Sequence, residues 1–332
     1  MRPPMRMRVA GQTVAVTATF VTLLVGIMGV LCTALVVPST STPPAPNHLS
    51  PQQPSLKMAM WQGFVSIGDK EANIAVLSEG ARQAASQGAR LIMYPELALV
   101  GYGNMTVAEV HALAERVDGP SLQRLGQVAK EAGIYMLVGY VERDEHNASI
   151  IYDAAALLSP EDGSVILNYR KMQLSGIEND FFTPGQKFAD VVEVDGIRVG
   201  ILICYDISIP ETSRIMALKK TSLLLVPTAN GFPPEINAIA LIQVPSRAVS
   251  NFIHVAYCNY AMSNDWSPFH GLSKLYDPMG EALITGATQL DTINIYYADI
   301  QPSKYPDPCT ILRDRRPATY ALLTDPHAYC LP

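Results

Sequence analysis

Charge is scarce in this chain. Of its 332 residues, 16% are Asp, Glu, Lys or Arg, and the net charge is -6. No basic stripe or aromatic-interleaved basic run occurs, so a nucleic-acid partner is not expected. The five cysteines (32, 204, 258, 309 and 330) form no Cys-x-x-Cys pair and no Cys/His cluster of zinc spacing, which argues against a structural metal. Their odd number argues against a disulfide framework. Free thiols are the expectation, with a single Cys309–Cys330 bridge as the alternative. No Gly-x-Ser-x-Gly is present, so a serine nucleophile elbow has no support. A phosphate-cradling glycine loop and a long internal repeat are missing too. The six histidines (48, 111, 146, 254, 270 and 327) fit no nearby metal pattern and read as surface or packing residues. No metal is therefore expected.

Apolar residues are plentiful, at 48% of the chain. That is enough to bury one large core or two small ones. The charge is unevenly placed. Residues 1–56 hold Arg2, Arg6 and Arg8 and no acid, so the remainder carries -9. From Val9 to Val37 nothing is charged, which is long enough to span a bilayer. The arginines before it favour an inside N-terminus, with the rest of the chain outside the cytoplasm. Residues 1–37 thus read as a signal-anchor, or else as a cleaved signal peptide. A start at Met58 is the third reading and would leave the protein cytoplasmic. Residues 38–55 are rich in Pro, Ser and Thr and read as an extended linker. Residues 56–332 form the folded domain.

Within that domain short apolar runs alternate with helical spacing. Strands are expected at 57–62, 89–94, 135–141, 150–158, 165–171, 223–227, 252–258, 273–276 and 293–300. Helices are expected at 69–88, 106–133 with a break at Asp118-Gly119-Pro120, 211–220 and 235–250. Val191–Val199 reads as a hairpin about Asp195-Gly196. It runs into Gly200-Ile201-Leu202-Ile203, a buried strand that stops at Cys204. Ser208, Pro210 and Glu211 then signal a helix start. A cysteine at a strand-to-helix turn meets free backbone N–H groups and a helix end, which lower its pKa and offer a seat for an oxyanion. A buried core cysteine is the equal alternative on this stretch alone. The alternation implies an α/β protein with mixed sheets covered by helices. The segment from Pro302 reads as packing on the surface or on a second subunit.

Three strand ends present reactive groups: Glu96 after Tyr94-Pro95, Lys171 after Tyr169-Arg170, and Cys204 after Ile203. Strand ends on one sheet edge converge on one site. Tyr94-Pro95-Glu96-Leu97 with Gly101-Tyr102, Tyr169-Arg170-Lys171 with Leu174, and Cys204-Tyr205-Asp206 with Pro210-Glu211 together resemble the nitrilase superfamily of carbon–nitrogen hydrolases. Gly139, Phe181-Phe182-Thr183-Pro184-Gly185, Pro227-Thr228-Ala229-Asn230 and Pro245-Ser246-Arg247-Ala248 fit the same pattern, as does the segment from Asn259-Tyr260 to Gly271-Ser273. The resemblance covers residues 56–300.

It implies a four-layer α-β-β-α sandwich and a cofactor-free Glu-Lys-Cys site. Glu96 becomes general base and acid, Lys171 oxyanion stabiliser and Cys204 nucleophile. Glu178 matches a second glutamate, and the Tyr205 N–H completes the oxyanion hole. Tyr102, Asn230, Phe232 and Trp266 are candidate substrate contacts. The implied reaction is hydrolysis of a small linear amide or N-carbamoyl compound. Nitrile hydrolysis is the enzymatic alternative, and a membrane-tethered, non-catalytic binding protein is the alternative from another class. The family commonly pairs subunits, so a homodimer is expected. One departure stands out: Tyr152-Asp153 occupies a place where many members have Tyr-Asn. Asn104 and Asn147 head glycosylation sequons, and Asn104 follows the Glu96 loop closely.

Overall fold

The computed structural model describes residues 54–263, 268–305 and 309–325. The expected span at 1–37 and all but the end of the linker lie outside them, as does Trp266. Among the described residues no helix is long and apolar enough to cross a membrane.

Fourteen strands are described: β1 (Leu56–Gln62), β2 (Leu91–Met93), β3 (Tyr135–Arg143), β4 (Ile151–Leu158), β5 (Val165–Arg170), β6 (Val192–Val194), β7 (Ile197–Ile201), β8 (Leu223–Pro227), β9 (His254–Cys258), β10 (Ala261–Met262), β11 (Phe269–His270), β12 (Lys274–Tyr276), β13 (Ala282–Thr285) and β14 (Asn294–Ile300). Two six-stranded sheets result, in the orders β14-β1-β2-β3-β4-β5 and β13-β12-β9-β8-β7-β6, plus a small β10-β11 ribbon. Each sheet has three parallel strands at its centre, β1-β2-β3 and β7-β8-β9, with antiparallel strands outside them.

The central strands are largely apolar because both faces are covered. Along β1, Leu56, Met58 and Met60 enter the core between the sheets, while Ala59 and Trp61 enter the core beneath the helices. β2 repeats this with Leu91 and Met93 against Ile92, and β3 with Leu137 against Met136 and Val138. Helices α1 (Lys70–Ser86) and α3 (Pro120–Ala132) supply Ile74, Leu77, Leu122 and Leu125 to the helix side of the first sheet. The short α2 (Val107–Leu113) lies between them in sequence. Helices α4 (Pro210–Leu218) and α5 (Val244–Asn251) supply Met216, Val244 and Ala248 to the second. This is the α-β-β-α layering implied by the motifs.

The hairpin is where Asp195-Gly196 places it: both residues have positive φ, at 46° and 82°, as its tight turn requires. One helix differs. Instead of a single run over 235–250 there is a 3₁₀ turn at Pro234–Ile236 and a wide π turn at Ile239–Gln243 leading into α5. Pro245 has no N–H to return to the preceding turn, so that turn widens, closing through the Val244 N–H on the Ile239 carbonyl. The strands β10, β11 and β13 were not expected; each is short and flanked by glycine or turn residues. Cys204 and Cys258 are free thiols. Cys330 and the Cys309 side chain lie outside the description.

Candidate active site

Four strand ends meet between the sheets. β2 ends at Met93 and delivers Glu96. β5 ends at Arg170 and delivers Lys171. β7 ends at Ile201 and delivers Cys204, and β8 delivers Thr228. Gly139 in β3 makes room for the first of these. A Cβ there would lie 2.4 Å from the Leu97 nitrogen and 3.0 Å from the Glu96 carbonyl carbon. The Glu96 backbone is held from outside by the Tyr260 hydroxyl, which donates to its carbonyl at 2.7 Å.

Lys171 and Glu96 are fully buried, and Glu178 nearly so. Lys171 Nζ donates to Glu96 Oε1 at 2.5 Å and to Glu178 Oε1 and Oε2 at 2.7 Å each. Asp153 Oδ2 lies 3.4 Å from the same nitrogen. Burial works against the Lys171 charge. The surrounding anions, Glu96 foremost, more than offset it and hold the ammonium well above the usual lysine range. Glu178 sits on a 3₁₀ turn, Gly176–Asp180, accepting from the Ser175 N–H and the Tyr102 hydroxyl, each at 2.7 Å. Oxygens of Glu96, Asp153 and Glu178 lie within 4.8 Å of one another, the spacing a bound cation would require; the cation among them is the Lys171 ammonium.

Cys204 has φ of 45°, an unfavourable backbone for a residue with a Cβ, and is half-buried. Leu97, directly after Glu96, shares this strain at 51°. The Thr228 hydroxyl donates to Cys204 Sγ at 3.0 Å. One carboxylate braces the turn. Asp206 accepts from the Ile203 N–H at 2.9 Å, the Gln173 N–H at 2.8 Å and the Tyr169 hydroxyl at 2.8 Å. It thereby ties the Lys171 loop to the cysteine loop. Burial raises its pKa to about 6 against the pull of these donors.

The cysteine itself corrects an expectation. Its thiol is pushed well above the usual range, by burial first and by the Glu96 charge second, while Lys171 and the Thr228 hydroxyl pull the other way. The cysteine opens a five-residue 3₁₀ turn, Cys204–Ser208, and α4 begins only at Pro210, so no α-helix starts at the sulfur.

Of the substrate-contact candidates, Tyr102 stands beside Glu178 on an apolar cavity with Met105, Ile177, Phe181 and Phe182. Asn230 is buried, with its amide donating to Tyr257 at 2.8 Å and Asn237 at 3.2 Å and its carbonyl accepting the Phe232 N–H at 2.9 Å. Phe232 is half-exposed. Tyr205 follows Cys204 with its ring half-exposed. Asn104 and Asn147 are exposed. Thr228 and Asp153 were not foreseen as site residues. Strand parity was the available signal for Asp153. It shares a face with Ala155 and Leu157, which enter the inter-sheet core.

This arrangement matches known proteins. The model of the carbon-nitrogen hydrolase family matches residues 57–306. The chain belongs to that family and is a carbon–nitrogen hydrolase. A hydrolase encoded in the pqqF 5' region of Pseudomonas protegens is 35% identical over 269 residues, 76% of this chain and 92% of that one. Omega-amidase NIT2 of Homo sapiens is 31% identical over 281 residues, 81% of this chain and 98% of that one. Among solved structures, a double mutant of the amidase from Nesterenkonia sp. AN1 in complex with acrylamide aligns with a TM-score of 0.70 at 28% identity, covering 81% of this chain and 97% of that chain. A second structure of that amidase shows covalent addition of the acetamide moiety of fluoroacetamide at its active site cysteine.

Proposed function

We propose that the enzyme hydrolyses a small linear amide or N-carbamoyl compound through an acyl-enzyme on Cys204. The observation that carries this reading is the buried Lys171 ammonium bound to Glu96 and Glu178 at the strand ends that also deliver Cys204, whose thiol feels the charges of all three. Cys204 sulfur attacks the carbonyl carbon while its proton passes to Glu96. The C=O electron pair moves onto oxygen. Once Glu96 is neutral its hold on Lys171 weakens, freeing an N–H of Lys171 to join the Tyr205 N–H at the oxyanion. Glu96 then protonates the nitrogen, the C–N bond breaks and ammonia or an amine departs. Water enters, gives its proton to Glu96 and attacks the thioester. The C–S bond breaks and the proton returns to sulfur. Glu178 keeps Lys171 in place throughout.

The test is ammonia release from a panel of amides, N-carbamoyl amines and nitriles, read alongside intact mass. Turnover of an amide or N-carbamoyl compound with an acyl mass on Cys204 is expected. Turnover confined to nitriles would replace this reading with the nitrilase one. No turnover, and no adduct with any of the panel, would favour the non-catalytic reading.

A homodimer is proposed with it. Apolar side chains collect around α5: Leu241, Ile242 and Val249, with Leu218 at the end of α4, are all exposed. Leu323 shares a hollow with Arg214 and Ser250 on the same side. Sedimentation equilibrium at micromolar concentration should give a dimer, and Ile242→Glu should shift it to monomer. A wild-type monomer under those conditions would end the idea.

A further inference from the structure

The active site holds one carboxyl more than its hydrogen bonds can serve. Three acids, Glu96, Asp153 and Glu178, surround the single Lys171 ammonium. An ammonium has three N–H donors. One goes to Glu96 Oε1 and the others to the two oxygens of Glu178. None is left for Asp153, whose nearer oxygen stays at 3.4 Å. Among the described residues no donor reaches either Asp153 oxygen or Glu96 Oε2, although all three atoms are buried. The Asp153 and Glu96 carboxyls face each other. Two ionised carboxylates cannot share so dry a space, since each has only acceptors to offer and both repel. One proton between them resolves both defects: it removes one charge and turns two orphaned acceptors into a donor–acceptor pair.

We infer that Asp153 is a positioning residue that stays protonated in the working enzyme and donates a hydrogen bond to Glu96. Direction agrees with geometry: burial first, and the Glu96 charge second, push the Asp153 carboxyl well above the usual aspartate range, against the pull of Lys171. This inference rests on the proposed role of Glu96 as base. The neutral Asp153 fixes Glu96 with one oxygen on Lys171 and the other on the Asp153 O–H. It also keeps the cluster at a net charge of minus one, from Glu96, Glu178 and Lys171. A second anion would oppose negative charge arriving on the sulfur and the substrate oxygen.

The sign of the pH effect follows. An acid with a raised pKa is neutral at low pH and loses its proton as pH rises. The other groups acting on it are Lys171 and the Tyr260 hydroxyl, both pushed upward from their usual ranges, and Glu178, which is bound to Lys171; the Cys204 thiol and the Tyr102 hydroxyl, which face Glu96, are pushed upward too. Of these groups a carboxyl starts from the lowest ordinary value, so the Asp153 proton is the one expected to leave first on the alkaline side, and attack by Cys204 weakens as it does. The resulting midpoint belongs to the Asp153–Glu96 pair rather than to one residue.

The test does not need the true substrate. The rate of Cys204 alkylation by iodoacetamide, read by intact mass, is measured against pH, and infrared difference spectra are taken over the same range. Wild type should show a protonated carboxyl band at neutral pH that vanishes on the alkaline side with the same midpoint as the fall in alkylation. Asp153→Asn keeps a donor that cannot titrate. It should lack the band and carry the fall to higher pH. Asp153→Ala has no donor, and its alkylation should drop about 10- to 100-fold, the loss expected for one hydrogen bond to a charged group. A wild-type spectrum without that band at neutral pH would overturn the proposal, whatever the variants do. So would an alkaline midpoint unchanged in Asp153→Asn. If amides are not turned over but the band and midpoint behave as stated, the substrate reading fails and this one stands.

Discussion

Lys171→Ala is expected to abolish hydrolysis and to leave a protein that melts far below wild type. The ammonium is fully buried and supplies the positive charge for Glu96 and Glu178. Removing one partner of a buried ion pair typically costs about 3–5 kcal/mol, because the other charge is left uncompensated. For a domain of this size that lowers Tm by roughly 10 °C. The protein can respond only by protonating the carboxyls, so the loss should be larger at pH 8 than at pH 5. Lys171→Met, which keeps most of the volume, should behave the same way and so separate charge from cavity. Calorimetry across pH, with ammonia release on the same samples, checks both parts. An unchanged Tm in both variants would show that the carboxyls do not depend on that ammonium.

Cys204→Ala is expected to do the opposite: remove turnover while leaving the fold alone. Loss of the nucleophile in a covalent hydrolase costs about 10⁶ in kcat. The side chain is half-buried and small, and Thr228, which donates to it, lies 3.3 Å from the Tyr257 hydroxyl as an alternative partner. Stability should change little. Amide binding, measured by calorimetry, should survive, because Glu96, Lys171 and Glu178 keep their mutual contacts. The acyl mass seen on wild type should be missing. Wild-type-like turnover in this variant would take Cys204 out of the mechanism.

The reactive strand ends at Glu96 and Cys204 could be read from the chain because each follows an apolar run. Such runs end where the sheet ends, and a charged residue or cysteine there has few other places to be. Position alone made them candidates; it was the resemblance of the combined motifs that grouped Glu96, Lys171 and Cys204 into one site and added Glu178 to it. Asp153 was harder to see. It lies inside a strand and faces the site only through the parity that also sends Ala155 and Leu157 inward. The upward shift of the Cys204 thiol was hidden as well, since the local turn alone points the other way. Burial and the charge on Glu96, a residue more than a hundred positions away, outweigh it. The π turn before Pro245 and the ribbon of β10 and β11 depend on tertiary packing that no local pattern records.

One feature of the first sheet sets the order of assembly. β1 lies between β2 and β14, and its register runs from Leu56 opposite Ile300 to Gln62 opposite Asn294. Its partner on one side is thus nearly the last strand to leave the ribosome. Until then β1 carries an open, strongly apolar edge, the kind that recruits other chains. Pairing at such sequence separation is also slow. Glu96 follows the strand next to β1, so the half-site it belongs to is finished only when β14 pairs with β1. Newly made enzyme should accordingly pass through an inactive, aggregation-prone stage whose duration is set by the docking of β14.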